Sequence, residues 1–171
     1  MIDHLPERLD LLATAGAGRS MRGSVPLARL ERVLPALASS DGELQVVFEL
    51  GRDPGGIYFL AGTILGDVAI NCQRCLEPVK HTLDLAFRLG LVRDEAAIAA
   101  LPGQYEALLV TGEPARVADI VSDEVLLALP LVPLHENDSR CQAVLKEYQP
   151  QTDAKRESPF AILAGLKQKQ P

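Results

Sequence analysis

There is no tryptophan in this chain, and only four phenylalanines and three tyrosines, so any core has to be assembled mainly from aliphatic side chains. Cysteine is equally sparse: three residues, an odd number that suits a reducing compartment better than a disulfide framework. No apolar run approaches the roughly 20 residues a membrane helix requires, and Asp3 and Glu7 precede the first apolar block. Neither a membrane span nor secretion is expected, and the chain is read as cytoplasmic. Also missing are G-x-S-x-G, a Walker loop and H-E-x-x-H, the motifs that announce common hydrolytic and nucleotide chemistry. His81 falls in an alternating strand pattern, and Asp119, Asp123 and Glu124 crowd one helix as solvated acids commonly do. An enzyme is not expected, nor is a small-molecule substrate.

Cationic excess is lacking too. A net charge of −6 disfavours a protein that grips phosphate without sequence preference, because such contacts need clustered lysine and arginine. The charge is uneven, however. Across 94–147 ten acids face three bases, whereas Arg74, Lys80, Arg88 and Arg93 outnumber Glu77 and Asp84 across 71–93, and Arg19, Arg22, Arg29 and Arg32 cluster earlier. A basic face of this kind can meet RNA or an acidic partner, with Arg74, Lys80 and Arg88 as the candidates; ordinary solvated surface is the alternative.

The most informative local pattern is Asn71-Cys72-Gln73-Arg74-Cys75, a C-x-x-C whose flanks alternate like strands and so place the thiols on a hairpin knuckle. His135 and Cys141 follow some sixty residues later and complete a four-ligand set for zinc: Cys72, Cys75, His135 and Cys141. Three readings stay open at this point, namely zinc, plain reduced thiols, and redox chemistry. The last usually puts C-x-x-C at a helix start in a βαβ unit, which is not the setting here.

At 171 residues and 47% apolar, the chain is long enough for one domain with a real core. A short strand is expected at 9–12, then a glycine-rich passage at 15–23. Pro26, after a capping Ser24, should open a helix with Leu27, Leu30, Val33, Leu34 and Leu37 on its buried face. The runs 44–50 and 57–60 flank Arg52-Asp53-Pro54-Gly55-Gly56 and describe an antiparallel hairpin. Strands at 62–70 and 83–89 bracket the cysteine knuckle, 94–101 reads as a short helix, 105–110 as a further strand, and 117–129 as the best helix, stopped by Pro130. The fold class is therefore α+β: one domain with a twisted antiparallel, barrel-like sheet of four or five strands and two or three covering helices. Its bounds are 1–135, followed by a polar flexible tail at 136–157 and a tethered C-terminal helical motif at 158–171. In that motif Ser158 and Pro159 start a helix carrying Phe160, Leu163 and Leu166, an apolar set that needs either the protein's own sheet or a partner groove to cover it.

Three strings, NCQRCLEPV, DEVLLALPLVPLH with a cysteine six residues beyond its histidine, and SPFAILAGLK, occur in one order and resemble the YceD family, the large ribosomal RNA subunit accumulation proteins, over nearly the whole chain. The resemblance implies a non-enzymatic bacterial factor needed for 23S ribosomal RNA accumulation and large-subunit biogenesis. Its partner would be a ribosomal RNA precursor, a ribosomal protein or an rRNA-processing factor. The alternative is a zinc- or thiol-dependent adaptor or sensor with no direct RNA contact.

Overall fold

The structure, a computed structural model, describes residues 4–136 and 138–147. The chain divides after His135 into two units, Met1–His135 and Glu136–Pro171, and each is taken by itself.

In the first unit a five-stranded sheet runs in the order β2-β3-β4-β5-β6, formed by β2 (Ser20–Pro26), β3 (Glu43–Arg52), β4 (Tyr58–Asn71), β5 (Pro78–Val92) and β6 (Glu106–Leu109). A separate antiparallel pair joins β1 (Arg8–Leu9) to β7 (Ala115–Arg116). Strict alternation in β3 buries Leu44, Val46, Phe48 and Leu50 on one face and leaves Glu43, Gln45, Val47 and Glu49 outside. The expected hairpin is present. Asp53 Oδ1 accepts from the Ile57 amide at 2.8 Å, and the Gly56 amide donates to the Asp53 carbonyl at 3.0 Å, closing the β3–β4 turn.

The β4–β5 hairpin is the longest feature, pairing thirteen positions from Phe59↔Gly90 to Asn71↔Pro78. At about 3.4 Å per residue it extends roughly 45 Å. Strand β3 accompanies β4 only as far as Gln45↔Leu65, so the far end projects beyond the sheet. Gly66, at φ 155°, marks the departure: a β-carbon there would meet Leu44 Cδ2 at 2.7 Å. The segment after β2 flanks the projecting end through the Ala38 amide, which donates to the Ala69 carbonyl at 2.7 Å.

Helix α1 (Leu11–Gly16), capped by Asp10, buries Leu11 and Ala15 beside β3 and β4. Helix α2 (Val117–Ala128) turns Val117, Ile120, Val121 and Val125 inward, at the spacing the sequence pattern predicts. Its buried Ser122 donates to the Ala118 carbonyl at 2.6 Å, leaving no polar orphan in the interface.

Several expectations need correction. Residues 27–37 do not form a helix. They make two 3₁₀ turns, Leu27–Arg29 and Leu34–Ala36. The Leu27 amide is taken by the Gly42 carbonyl, Leu30 leaves helical geometry at ψ 65°, and Pro35 has no amide to continue an α-helical ladder. Burial was legible in part even though the conformation was not: Leu27, Leu30 and Val33, spaced by three, are fully buried, whereas Leu34 and Leu37 are only half-buried. The sheet is open rather than barrel-like, with β2 and β6 as its edges. It is also not wholly antiparallel, since β6 runs parallel to β5 after a crossover through the 3₁₀ turn Glu95–Ala100. Leu89 to Val92, sandwiched there, are buried in succession rather than alternately. The strand expected at 9–12 stops at Leu9 and gives way to α1, and most of the glycine-rich passage is α1 and β2.

In the second unit, Ser139–Glu147 forms helix α3 within the stretch read as polar and without periodicity. Asp138 starts it, its carbonyl accepting from the Gln142 amide at 3.0 Å and its side chain from the Cys141 amide at 3.4 Å. The C-terminal motif at 158–171 lies outside the described residues.

Phe87 and Phe48 pack edge to face, centroids 6.2 Å apart, across Gly62, which pairs with both. A β-carbon at 62 would fall within the Phe87 ring. Gly62→Val should therefore displace Phe87 and lower unfolding free energy by about 1–3 kcal/mol, read as an earlier urea midpoint. An unshifted midpoint would show that the ring is not held there.

Candidate metal centre and surface groups

The β4–β5 hairpin carries its connection, residues 72–77, at the projecting end. The Cys72 amide donates to the Glu77 carbonyl at 3.0 Å, extending the ladder by one bond, and the Leu76 amide donates to the Cys72 carbonyl at 2.9 Å. Leu76 holds φ 63°, the left-handed region that branched side chains avoid at a cost of about 1 kcal/mol. This tight turn brings the Arg74 amide to 3.5 Å from Cys72 Sγ. Cys72 is fully buried and Cys75 half-buried.

His135 reaches the same knuckle from a distant part of the chain. Pro130 follows the end of α2, and with Pro133 it stiffens the bent segment beyond, whose Pro133 carbonyl accepts from the Gln73 amide at 2.9 Å. The His135 ring lies with Nε2 3.1 Å from the Pro78 carbonyl and Nδ1 3.4 Å from Cys75 Sγ. With Nε2–H donating to that carbonyl, the neutral ring turns the Nδ1 lone pair toward Cys75, and in the charged ring Nδ1–H faces the thiols as a donor. A metal-ligating histidine is commonly oriented by such a backbone contact.

Burial works to raise the Cys72 thiol pKa, but hydrogen bonds from the Cys75, Arg74 and His135 amides, with the His135 ring, outweigh it and bring the value down to about 5. The shift favours the thiolate of Cys72, the form that ligates metal. The ligating atoms of Cys72, Cys75 and His135 lie within 4.8 Å of one another. Tetrahedral zinc, with bonds of about 2.0–2.3 Å, spaces its ligands roughly 3.3–3.8 Å apart, so a small contraction suffices. Cys141, the third thiol, sits in α3. Within the first unit, Cys72, Cys75 and His135 form a ligating group that could hold a metal ion.

The basic candidates are strung out along the hairpin. Arg74 is half-buried at the knuckle. Lys80 forms an ion pair with Asp67 at 2.8 Å, and Asp67 also accepts from Thr82 Oγ1 at 2.7 Å. Arg88 shares the outer face of β5 with Lys80, but eight residues, roughly 26 Å, separate the two, with Asp84 between. Its guanidinium stacks 4.5 Å from the Phe59 ring centroid and 5.2 Å from that of Tyr105. Phe160, Leu163 and Leu166 lie outside the described residues.

Two arrangements escaped sequence reasoning because they join residues remote in the chain. Tyr105 donates its hydroxyl to Asp53 at 2.8 Å, which with the Ile57 amide lowers the Asp53 pKa and ties the β3–β4 turn to the β5–β6 crossover. Glu124 on α2 has its pKa raised to about 7, first by burial and then by repulsion from Glu106 and Asp123. Asp123 itself pairs with Arg32.

Residues 60–167 match the family described as "Large ribosomal RNA subunit accumulation protein YceD". A protein of that name from Haemophilus influenzae is 33% identical over 171 residues, covering 96% of this chain and 97% of its own length. No solved structure matches.

Because Glu124 prefers its neutral form when folded, its contribution to stability is fully present below the ordinary carboxyl range near 4.5 and is lost as pH rises through about 7. Thermal melting should fall between pH 5 and pH 8, and Glu124→Gln should flatten that fall, raising the melting temperature at pH 8 with little change at pH 5. Parallel profiles for variant and parent would remove Glu124 as the cause.

Proposed function

This chain belongs to the YceD family, and we propose that it supports accumulation of 23S ribosomal RNA, acting in the cytoplasm as a non-enzymatic factor in large-subunit biogenesis. The observation that carries this reading is the family match across 60–167 together with near full-length similarity to a protein named for that role. The factor works by binding, with a ribosomal RNA precursor, a ribosomal protein or a processing factor as partner.

Zinc is the proposed cofactor, held by Cys72, Cys75, His135 and Cys141, because three thiols and one imidazole are the donor chemistry of structural zinc. Its role is to fasten the knuckle, whose left-handed Leu76 and buried thiolate gain from a fixed cation. The purified protein should carry close to one zinc per chain by elemental analysis, and Cys75→Ser should lose it and melt at lower temperature. Undiminished metal in that variant would exclude Cys75 as a ligand.

A second reading, an adaptor without direct RNA contact, is favoured by one feature: Lys80 is engaged by Asp67 and stands remote from Arg88, so the hairpin's outer face is no continuous cationic track. Depletion of the protein should lower the ratio of 23S to 16S ribosomal RNA, and expression of the parent chain should restore it. If Arg74→Glu/Lys80→Glu also restores the ratio and binds 23S precursor transcript as the parent does, these residues make no RNA contact and the adaptor reading stands. An unchanged ratio on depletion would refute the role itself.

A further inference from the structure

The end of α2 and the segment beyond it expose apolar surface of an unusual kind. Leu127 is 77% exposed, Leu131 100% and Val132 61%, with Leu126 at 38% and Leu134 at 37%. Isolated exposed leucines are ordinary, but five apolar residues exposed within nine concentrate apolar surface on one stretch of chain, a ridge at the end of α2. The backbone beneath it is held at both ends. The Leu129 amide donates to the Val125 carbonyl at 3.1 Å, closing the helix, and the Gln73 amide fixes the Pro133 carbonyl at 2.9 Å. Pro130 and Pro133 restrict the torsions between. A ridge ordered before binding loses little conformational entropy on docking.

The surrounding charge identifies what docks. Glu124 lies one helical turn before Leu127 and shares its side of α2, while Asp123, one turn before Leu126, is paired with Arg32. Glu106 is close enough to Glu124 for the two carboxylates to repel. The last turn of α2 carries no basic residue, so its carbonyl end, with the negative pole of the helix dipole, also faces the ridge uncompensated. Two carboxylates that repel each other beside a helix C-terminus disfavour phosphate, and a lysine or arginine brought between them relieves the repulsion. From these observations we infer that the ridge Leu126–Leu134 is a docking surface for a basic protein, one that offers an apolar groove rimmed by lysine or arginine, and that it does not bind RNA. The surface is read from the structure; only the choice of probe rests on the large-subunit role.

The experiment uses the full chain labelled with a fluorophore, the basic proteins extracted from purified large ribosomal subunits as probe, and 23S transcript as a separate probe. One identified extracted protein should bind, and Leu127→Ser/Leu131→Ser should weaken it at least tenfold without changing the melting temperature, since both side chains are exposed. Glu106→Gln/Glu124→Gln should weaken it further, and raised salt should weaken the parent complex. The inference is overturned if no extracted protein binds, if the leucine variant binds as the parent does, or if that variant loses transcript instead. It is equally overturned if sedimentation shows the ridge joining two copies of the chain, or if Phe160→Ser/Leu163→Ser/Leu166→Ser strengthens probe binding, which would make the chain's own C-terminal motif the occupant. The ribosomal RNA ratio on depletion is measured independently, so loss of the docking result leaves the proposed role untouched, and the reverse.

Discussion

Register in the β4–β5 hairpin is the constraint on which the rest of this structure depends. Side chains alternate along a strand, so a slip of one residue would turn Leu60, Ile64, Val68 and Leu83 outward together. Thirteen paired positions with one apolar face make that slip prohibitive. Once the register is set, the positions of other parts follow. Phe87 lies over Gly62, Arg88 comes beside Phe59, and the last four residues of β5 become available to β6.

The same hairpin also accounts for the knuckle. Strand β3 leaves at Leu65, and the two remaining strands carry the 72–77 turn clear of the sheet, where the chain beyond α2 can meet it. Two prolines restrict that chain, and the Gln73 and Pro78 contacts bring His135 to the thiols. The segment that delivers the His135 imidazole to the thiols also exposes Leu131 and Val132. Because the knuckle holds Pro133 in place, the ligand cluster and the apolar ridge share a scaffold, and disturbing the turn should loosen both.

Where the sequence was legible, a period or a sharp chemical signal carried the information. Leu44, Val46, Phe48 and Leu50 alternate without interruption, Asp53-Pro54-Gly55-Gly56 is turn chemistry, and Val117, Ile120, Val121 and Val125 describe one face of a helix. The C-x-x-C knuckle between strands was legible for the same reason. The segment 27–37 was misread because a spacing of three serves a helix and a 3₁₀ turn alike, and the deciding bond comes from Gly42, outside the segment. Strand β6 was placed but not oriented, since a four-residue run shows that a strand exists and not which way it runs.

Sequence by itself determined which face of β3 and of α2 is buried, where the β3–β4 hairpin turns, and which side chains are chemically able to hold a metal, because those properties depend on neighbours within a few positions. Only the tertiary structure decided that His135 turns Nδ1 toward Cys75, that Lys80 is engaged by Asp67, and that Glu124 is pressed by Glu106. Each joins residues between thirteen and sixty positions apart, and the Coulomb and hydrogen-bond terms involved fall off within a few ångströms. No local pattern encodes such distances; they exist only once the strands have paired.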